Sequence, residues 1–111
     1  MQIRPFCVEF LKELAKFAEI IIFTASSSSY ADVILNYLDP DKKLFSYRLY
    51  REHCTLEKGF YIKDLRVVNR NLSDVVIVDN SAFSFLLQPE NGLPIIPFYH
   101  YSKDRELLSL L

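Results

Sequence analysis

Ile20-Ile21-Ile22-Phe23-Thr24-Ala25-Ser26 and Val75-Val76-Ile77-Val78-Asp79-Asn80-Ser81 share one pattern. Each is a short, wholly apolar, mostly β-branched run that stops abruptly at small polar residues. Such a run reads as a strand buried on both faces, the type found in parallel sheets. Helical periods flank both. Strands alternating with helices give an α/β fold with a mainly parallel sheet. Sheets of that kind bind ligands in the crevice outside the carboxyl ends of their strands. A hydroxyl at Thr24 and the Asp79-Asn80 carboxylate and amide are therefore expected on one rim.

Working outward, Pro5 suits the first turn of a helix, where its missing N–H is not needed. Val8, Leu11, Leu14 and Ala15 then fall on one helical face, with Phe10 and Phe17 on its flank. Tyr30 to Leu38 reads as a second helix, ended by Asp39-Pro40, since a residue before proline avoids the α region. Tyr47 to Tyr50 alternates as a strand does. Cys54 to Lys63, with Lys58-Gly59 inside it, reads as a β-hairpin or a tight turn into an extended segment. Ser81 is placed to cap a helix running to about Leu87, and Pro89 to Gly92 is a turn. Pro94 to Pro97 reads as a short strand at a sheet edge, and Lys103 to Leu111 as a last helix. Ser26 to Ser29 is either a lip of the rim or the solvated start of the second helix.

The chain has 111 residues, 50% hydrophobic and 14% aromatic. That is too apolar for a disordered chain. A compact fold of this mass buries roughly two-thirds of its unfolded surface, enough for one core with little room for a second. Lys+Arg 13 against Asp+Glu 14 gives a net charge of −1. Nucleic-acid binders carry a basic excess, so no nucleic-acid partner is expected. No apolar run is long enough to span a membrane, and Arg4 and Glu9 interrupt any secretory leader. Cys7 and Cys54 cannot build a disulfide framework, so an intracellular chain with reduced thiols is expected.

Thr24-Ala25-Ser26, at a strand-to-helix turn, suits a cradle for a phosphoryl oxygen or another oxyanion. Asp79 and Asn80 are hard oxygen donors appropriate to Mg²⁺. Lys63, after the apolar pair Tyr61-Ile62, brings a fixed positive charge to the rim. Together these groups suggest phosphoryl chemistry, where positioning and charge neutralisation do most of the work.

The order of motifs along the chain adds a resemblance. Arg4-Pro5 with Glu9-Phe10-Leu11, Phe23-Thr24-Ala25-Ser26, Arg51-Glu52-His53-Cys54, Tyr61-Ile62-Lys63-Asp64-Leu65, Val78-Asp79-Asn80-Ser81 and Asn91-Gly92-Leu93-Pro94-Ile95 resemble the small C-terminal-domain (CTD) phosphatases and their Dullard-like relatives. These belong to the haloacid dehalogenase superfamily. The resemblance covers nearly the whole chain and implies a haloacid dehalogenase-like parallel sheet with helices on both faces. It implies a Mg²⁺-dependent phosphoserine/phosphothreonine phosphatase, with a phosphoprotein such as the RNA polymerase II tail as substrate. Thr24 and Lys63 would be the catalytic residues. Ser26, Tyr30 and Arg51 would bind substrate, and Asp79 and Asn80 would hold Mg²⁺. The relatives place such domains in the nucleus, in the cytoplasm or on the nuclear envelope and endoplasmic reticulum.

One element of the family is missing from these residues. Its enzymes begin with a strand ending in Asp-x-Asp-x-Thr/Val, whose first Asp attacks phosphorus. The one Asp-x-Asp here, Asp39-Pro40-Asp41, follows a helix and is explained by a helix-ending turn. Residues 1–111 are therefore expected to form a single, partial domain, inactive alone, with weak Mg²⁺ binding. In the family the missing strand is central, between the strands ending at Thr24 and Asp79. Those two strands then either pair directly, accept a strand from a partner or a second copy, or leave the fold unstable. The alternative function is a non-catalytic, phosphatase-like binding module, as in the mitochondrial import receptor of this family. His53, His100, Cys7 and Cys54 show no metal or nucleophile spacing, and Asn71-Leu72-Ser73 is a chance glycosylation pattern.

Overall fold

The computed structural model describes residues 3–95 and 105–110. In chain order the elements are α1 (Cys7–Leu14), β1 (Ile20–Phe23), α2 (Ser28–Leu38), β2 (Phe45–Leu49), β3 (Thr55–Glu57), β4 (Phe60–Ile62), β5 (Ile77–Asp79), β6 (Gly92–Pro94) and α3 (Glu106–Ser109). Short 3₁₀ turns, among them Arg51–His53, Leu65–Val68 and Ala82–Phe85, link them.

The strands form three separate two-stranded sheets rather than one. β1 pairs with β2 in parallel, Ile20 opposite Phe45 and Phe23 opposite Leu49. β5 pairs with β6 in parallel, Asp79 opposite Pro94. β3 and β4 form an antiparallel hairpin around Lys58-Gly59, both residues at positive φ, as a tight hairpin turn requires. The expected common parallel sheet is thus divided, and β1 and β5 do not pair with each other.

Burial follows the same division. One cluster gathers Leu11, Ile20, Ala31, Leu35 and Phe45 from α1, β1, α2 and β2. A second gathers Leu65, Ile77 and Phe85 around β5. The expectation of a single core is corrected: two small ones form. β5 is also not buried on both faces. Ile77 is inside, while Val76 and Val78 are 61% and 40% exposed. An apolar run reports β-propensity, but only a covering layer makes both faces interior. At Gly92, opposite Ile77, an added Cβ would stand 2.2 Å from the Phe85 ring. Glycine there lets Phe85 lie flat on β6.

Several boundaries move. Phe6 takes a left-handed conformation (φ 66), so α1 starts at Cys7, beyond Pro5, and stops before the 73% exposed Phe17. The polar run Ser26 to Ser29 divides between the two readings: Ser28 and Ser29 begin α2 with Ser27 as its N-terminal flank, and Ser26 belongs to the turn after Thr24. The segment after Ser81 is a 3₁₀ turn with no side-chain cap from Ser81. Among the described residues, β6 spans Gly92–Pro94 and so begins two residues before the expected start at Pro94; residues 96 and 97, and His100, fall outside the described residues. So does the start of the terminal helix before Arg105.

Asp39 ends α2 and is 3% exposed. Its carboxylate accepts the N–H groups of Lys43, Leu44 and Phe45 at 2.8, 3.0 and 3.0 Å. Burial raises its pKa, but the three donors outweigh that and hold it below the usual range. This makes Asp39 a structural helix stop and accounts for the Asp-x-Asp pattern. Because the folded pKa is depressed, its contribution is present above about pH 4, the unfolded value, and fades as pH falls below it. Asp39→Ala is expected to lower the urea-unfolding free energy by about 2–3 kcal/mol at pH 7, whereas the exposed Asp41→Ala should change it negligibly.

Candidate functional site

The first half of the site grows from the end of β1. The Thr24 N–H donates to the Leu49 carbonyl at 2.9 Å, extending the parallel ladder by one rung. Its hydroxyl oxygen accepts the Ser26 N–H at 3.0 Å, closing a tight turn. Neither the Thr24 hydroxyl proton nor the Ala25 N–H has an acceptor among the described residues. The turn is fastened from outside by Arg51. Its N–H donates to the Ser26 carbonyl at 3.1 Å and its Nε to the Ala25 carbonyl at 2.7 Å. The Arg51 guanidinium also sits 5.3 Å from the Tyr61 ring centre, a cation–π distance.

The second half joins β4 to β5. Ile62 is 3% exposed, and strand alternation turns the next side chain, Lys63, the other way. The Lys63 ammonium donates to Asp79 Oδ2 at 2.5 Å, with the two side chains 13% and 9% exposed. The Ser81 N–H donates to the other Asp79 oxygen at 3.0 Å. The Lys63 N–H donates to the Ser84 carbonyl at 2.7 Å. Asn80 is exposed, and its amide makes no hydrogen bond among the described residues.

Cys54 links the halves. Its thiol lies 3.8 Å from the carbonyls of Thr24 and Tyr50. Burial pushes the thiol pKa up; Lys63 and Arg51 oppose the shift and Asp79 adds to it. The charges of the second half are thus felt at a residue touching the first.

Of the expected site residues, Thr24, Ser26 and Arg51 share one hydrogen-bonded turn, and Lys63 and Asp79 form one pair. Tyr30 is 69% exposed on α2 and makes no hydrogen bond with them. The rim is built across two separate parallel pairs rather than along one sheet. Nothing in residue type signals the part played by Ser84, because its contact with Lys63 is through its backbone carbonyl. His53 acts locally, its Nδ1 accepting the Tyr50 N–H at 2.9 Å. Asn71 accepts the Ser73 N–H at 3.1 Å and so begins a 3₁₀ turn.

Asp79 and Asn80 have the donor chemistry Mg²⁺ prefers. Among the described residues, no group of three or more His, Cys, Asp or Glu joins in a metal cluster. The donor set therefore fits part of a Mg²⁺ shell.

The family model described as NLI interacting factor-like phosphatase matches residues 1–111. The chain belongs to that family. It is 48% identical over 108 residues to CTD small phosphatase-like protein 2 of Dictyostelium discoideum, covering 97% of this chain and 19% of the relative. It is 43% identical to CTD nuclear envelope phosphatase 1 of Xenopus laevis, over 97% of this chain and 44% of that protein. The chain thus spans less than half the length of these relatives. Among solved structures, the fission yeast RNA polymerase II CTD phosphatase Fcp1 bound to beryllium fluoride superposes with a TM-score of 0.73. The match covers 93% of this chain and 28% of that one, at 23% identity. This likeness fixes the fold as haloacid dehalogenase-like α/β.

Removing one member of a sheltered ion pair leaves the other charge uncompensated. Lys63→Met should cost about 3 kcal/mol at pH 7. Urea and thermal unfolding of the parent and the variant at pH 7 check this; an unchanged unfolding free energy would count against it.

Proposed function

We propose that this phosphatase-family chain carries the phosphate-handling part of a Mg²⁺-dependent phosphoserine/phosphothreonine phosphatase site of the small CTD type. The supporting observation is the sheltered Lys63–Asp79 pair together with the Thr24-Ala25 turn, linked through Cys54, whose thiol touches the Thr24 carbonyl and feels both charges; the Thr24 hydroxyl proton and the Ala25 N–H are donors without acceptors among the described residues. A phosphoryl oxygen fits those donors, as backbone N–H groups at a strand-to-helix turn suit anions. Lys63 supplies the nearby positive charge. Arg51 and Ser26 shape the rim, and Tyr30 stands at the entrance. Asn80 and Asp79 would hold Mg²⁺, which when bound would neutralise phosphoryl charge.

Three aspartates on these elements are already engaged. Asp79 is held by Lys63 and Ser81, Asp64 by Arg66 and Gln88, and Asp32 by Arg48 and Tyr50. Covalent catalysis needs a carboxylate free to attack. We therefore propose that residues 1–111 act as a partial domain that binds phosphate without turnover. β1 and β5 each keep one edge with no strand partner among the described residues, so a donated strand from another chain or a second copy would complete the sheet. The same engagement of carboxylates favours the second reading, a non-catalytic module that recognises a phosphoprotein.

The named relatives suggest the substrate class and place. A phosphorylated protein segment, such as the RNA polymerase II tail on which the solved relative acts, is the proposed ligand. A nuclear or envelope-associated location follows the relatives named for the nuclear envelope. No helix among the described residues is long and apolar enough to cross a membrane.

Calorimetry and phosphate-release assays with a phosphoserine peptide and Mg²⁺ test the reading. Binding is expected, weakened about tenfold by Thr24→Val, with phosphate release at background. No binding would refute the site. Release abolished by Asp79→Asn would make Asp79 the nucleophile and refute the inactive reading.

A further inference from the structure

The Lys63-Asp64-Leu65 segment and the segment following Asp79-Asn80 are joined by two buried polar side chains. Asp64 is 7% and Gln88 5% exposed. Gln88 Oε1 accepts the Leu65 N–H at 2.9 Å. Its Nε2 donates to Asp64 Oδ1 at 2.9 Å. The orientation of this amide is forced, because a backbone N–H only donates and a carboxylate only accepts.

Asp64 is itself fixed. It accepts the Arg66 N–H at 3.0 Å and the Arg66 guanidinium at 2.6 Å. The Arg66 guanidinium holds the Asp64 carboxyl well below the usual carboxylate range. The Gln88 backbone is anchored too: its N–H donates to the Phe85 carbonyl at 3.1 Å, and its carbonyl accepts the Asn91 N–H at 3.0 Å. One residue earlier than Asp64, the Lys63 N–H reaches the Ser84 carbonyl. Three successive residues, 63 to 65, are therefore stitched to residues 84 and 88 on the turn that follows Asp79.

We infer that Gln88 is a positioning residue that acts through Asp64 to set where the Lys63 ammonium meets Asp79. The inference rests on the reading of Lys63 and Asp79 as the charged part of the site. The physical reason is register. Lys63 has four rotatable side-chain bonds, so its ammonium is confined to Asp79 only if its own backbone is held. The Ser84 carbonyl holds that backbone at one point and Gln88 at a second. Two points fix its direction as well as its distance. An apolar residue at position 88 would leave the Leu65 N–H and one Asp64 lone pair without partners in a dry setting.

The test reads Lys63 directly. The rate at which an amine-reactive ester modifies Lys63 is measured by mass spectrometry, relative to the exposed Lys58 in the same chain. Gln88→Glu keeps the size and the acceptor for Leu65 but sets a second carboxylate against Asp64. Lys63 modification is expected to rise about tenfold relative to Lys58, the worth of one lost hydrogen bond. Gln88→Leu removes both bonds while keeping the bulk, and should raise the Lys63 rate at least as much. A folded Gln88→Glu chain with an unchanged Lys63 rate would overturn the inference, as would a folded Gln88→Leu chain with an unchanged rate. Should Gln88→Glu not fold, Gln88→Leu decides by the same readout. Phosphopeptide binding plays no part in this readout, so failure of the functional reading and failure of the positioning role remain separable.

Discussion

The ion pair between Lys63 and Asp79 is the contact on which the site depends. A lysine and an aspartate each sheltered from water would be costly alone. Together, and with hydrogen bonds from Ser81 to the carboxylate and from Lys63 to the Ser84 carbonyl, the cost is offset. The pair also couples elements that share no sheet: Lys63 follows the hairpin strand β4, and Asp79 ends β5. Alongside it, the hairpin is held by the Lys63 N–H bond to Ser84, by the Arg51 guanidinium over Tyr61 and by the stacked rings of Phe60 and Phe83, whose centroids are 4.6 Å apart.

The two halves of the site belong to different cores. Thr24 stands above the cluster of Leu11, Ile20 and Phe45, and Asp79 stands above that of Leu65, Ile77 and Phe85. Arg51 and Cys54 bridge them, one through the Ala25 carbonyl and the Tyr61 ring, the other through its position beside both. A site assembled across two small cores has a geometry set by a few polar contacts rather than by one rigid sheet. That arrangement explains why buried polar links such as Asp64–Gln88 matter here more than their number suggests.

Much of this was legible in the sequence, for identifiable reasons. β1 lies at Ile20–Phe23, where the β-branched run predicts it, and the Lys58-Gly59 pair marks the hairpin because its turn needs positive φ. Thr24 and Asp79 fall at strand ends because apolar runs break where the chain leaves the sheet. The rest depends on partners distant in sequence. Apolar runs at Val75–Val78 and Ile20–Phe23 cannot tell whether a layer covers both faces or whether the two strands are neighbours. Ser81 does not cap an α-helix because the chain after it makes a 3₁₀ turn, in which the Ser84 N–H bonds the Ser81 backbone carbonyl. Gln88 looks like an ordinary polar residue in a turn until the fold places it against Asp64 and Leu65. The exposure of Tyr30 likewise depends on the orientation of α2, which its own period does not set.

The central claim is that the Thr24-Ala25 turn and the Lys63–Asp79 pair form one anion site. Amide and lysine-ammonium nuclear magnetic resonance of the ¹⁵N-labelled chain, titrated with phosphoserine, tests it most directly. Concerted shifts at the Ala25 N–H and the Lys63 ammonium with a single binding curve are expected. Shifts confined to one half, or centred on exposed cations such as Arg70, would contradict the claim.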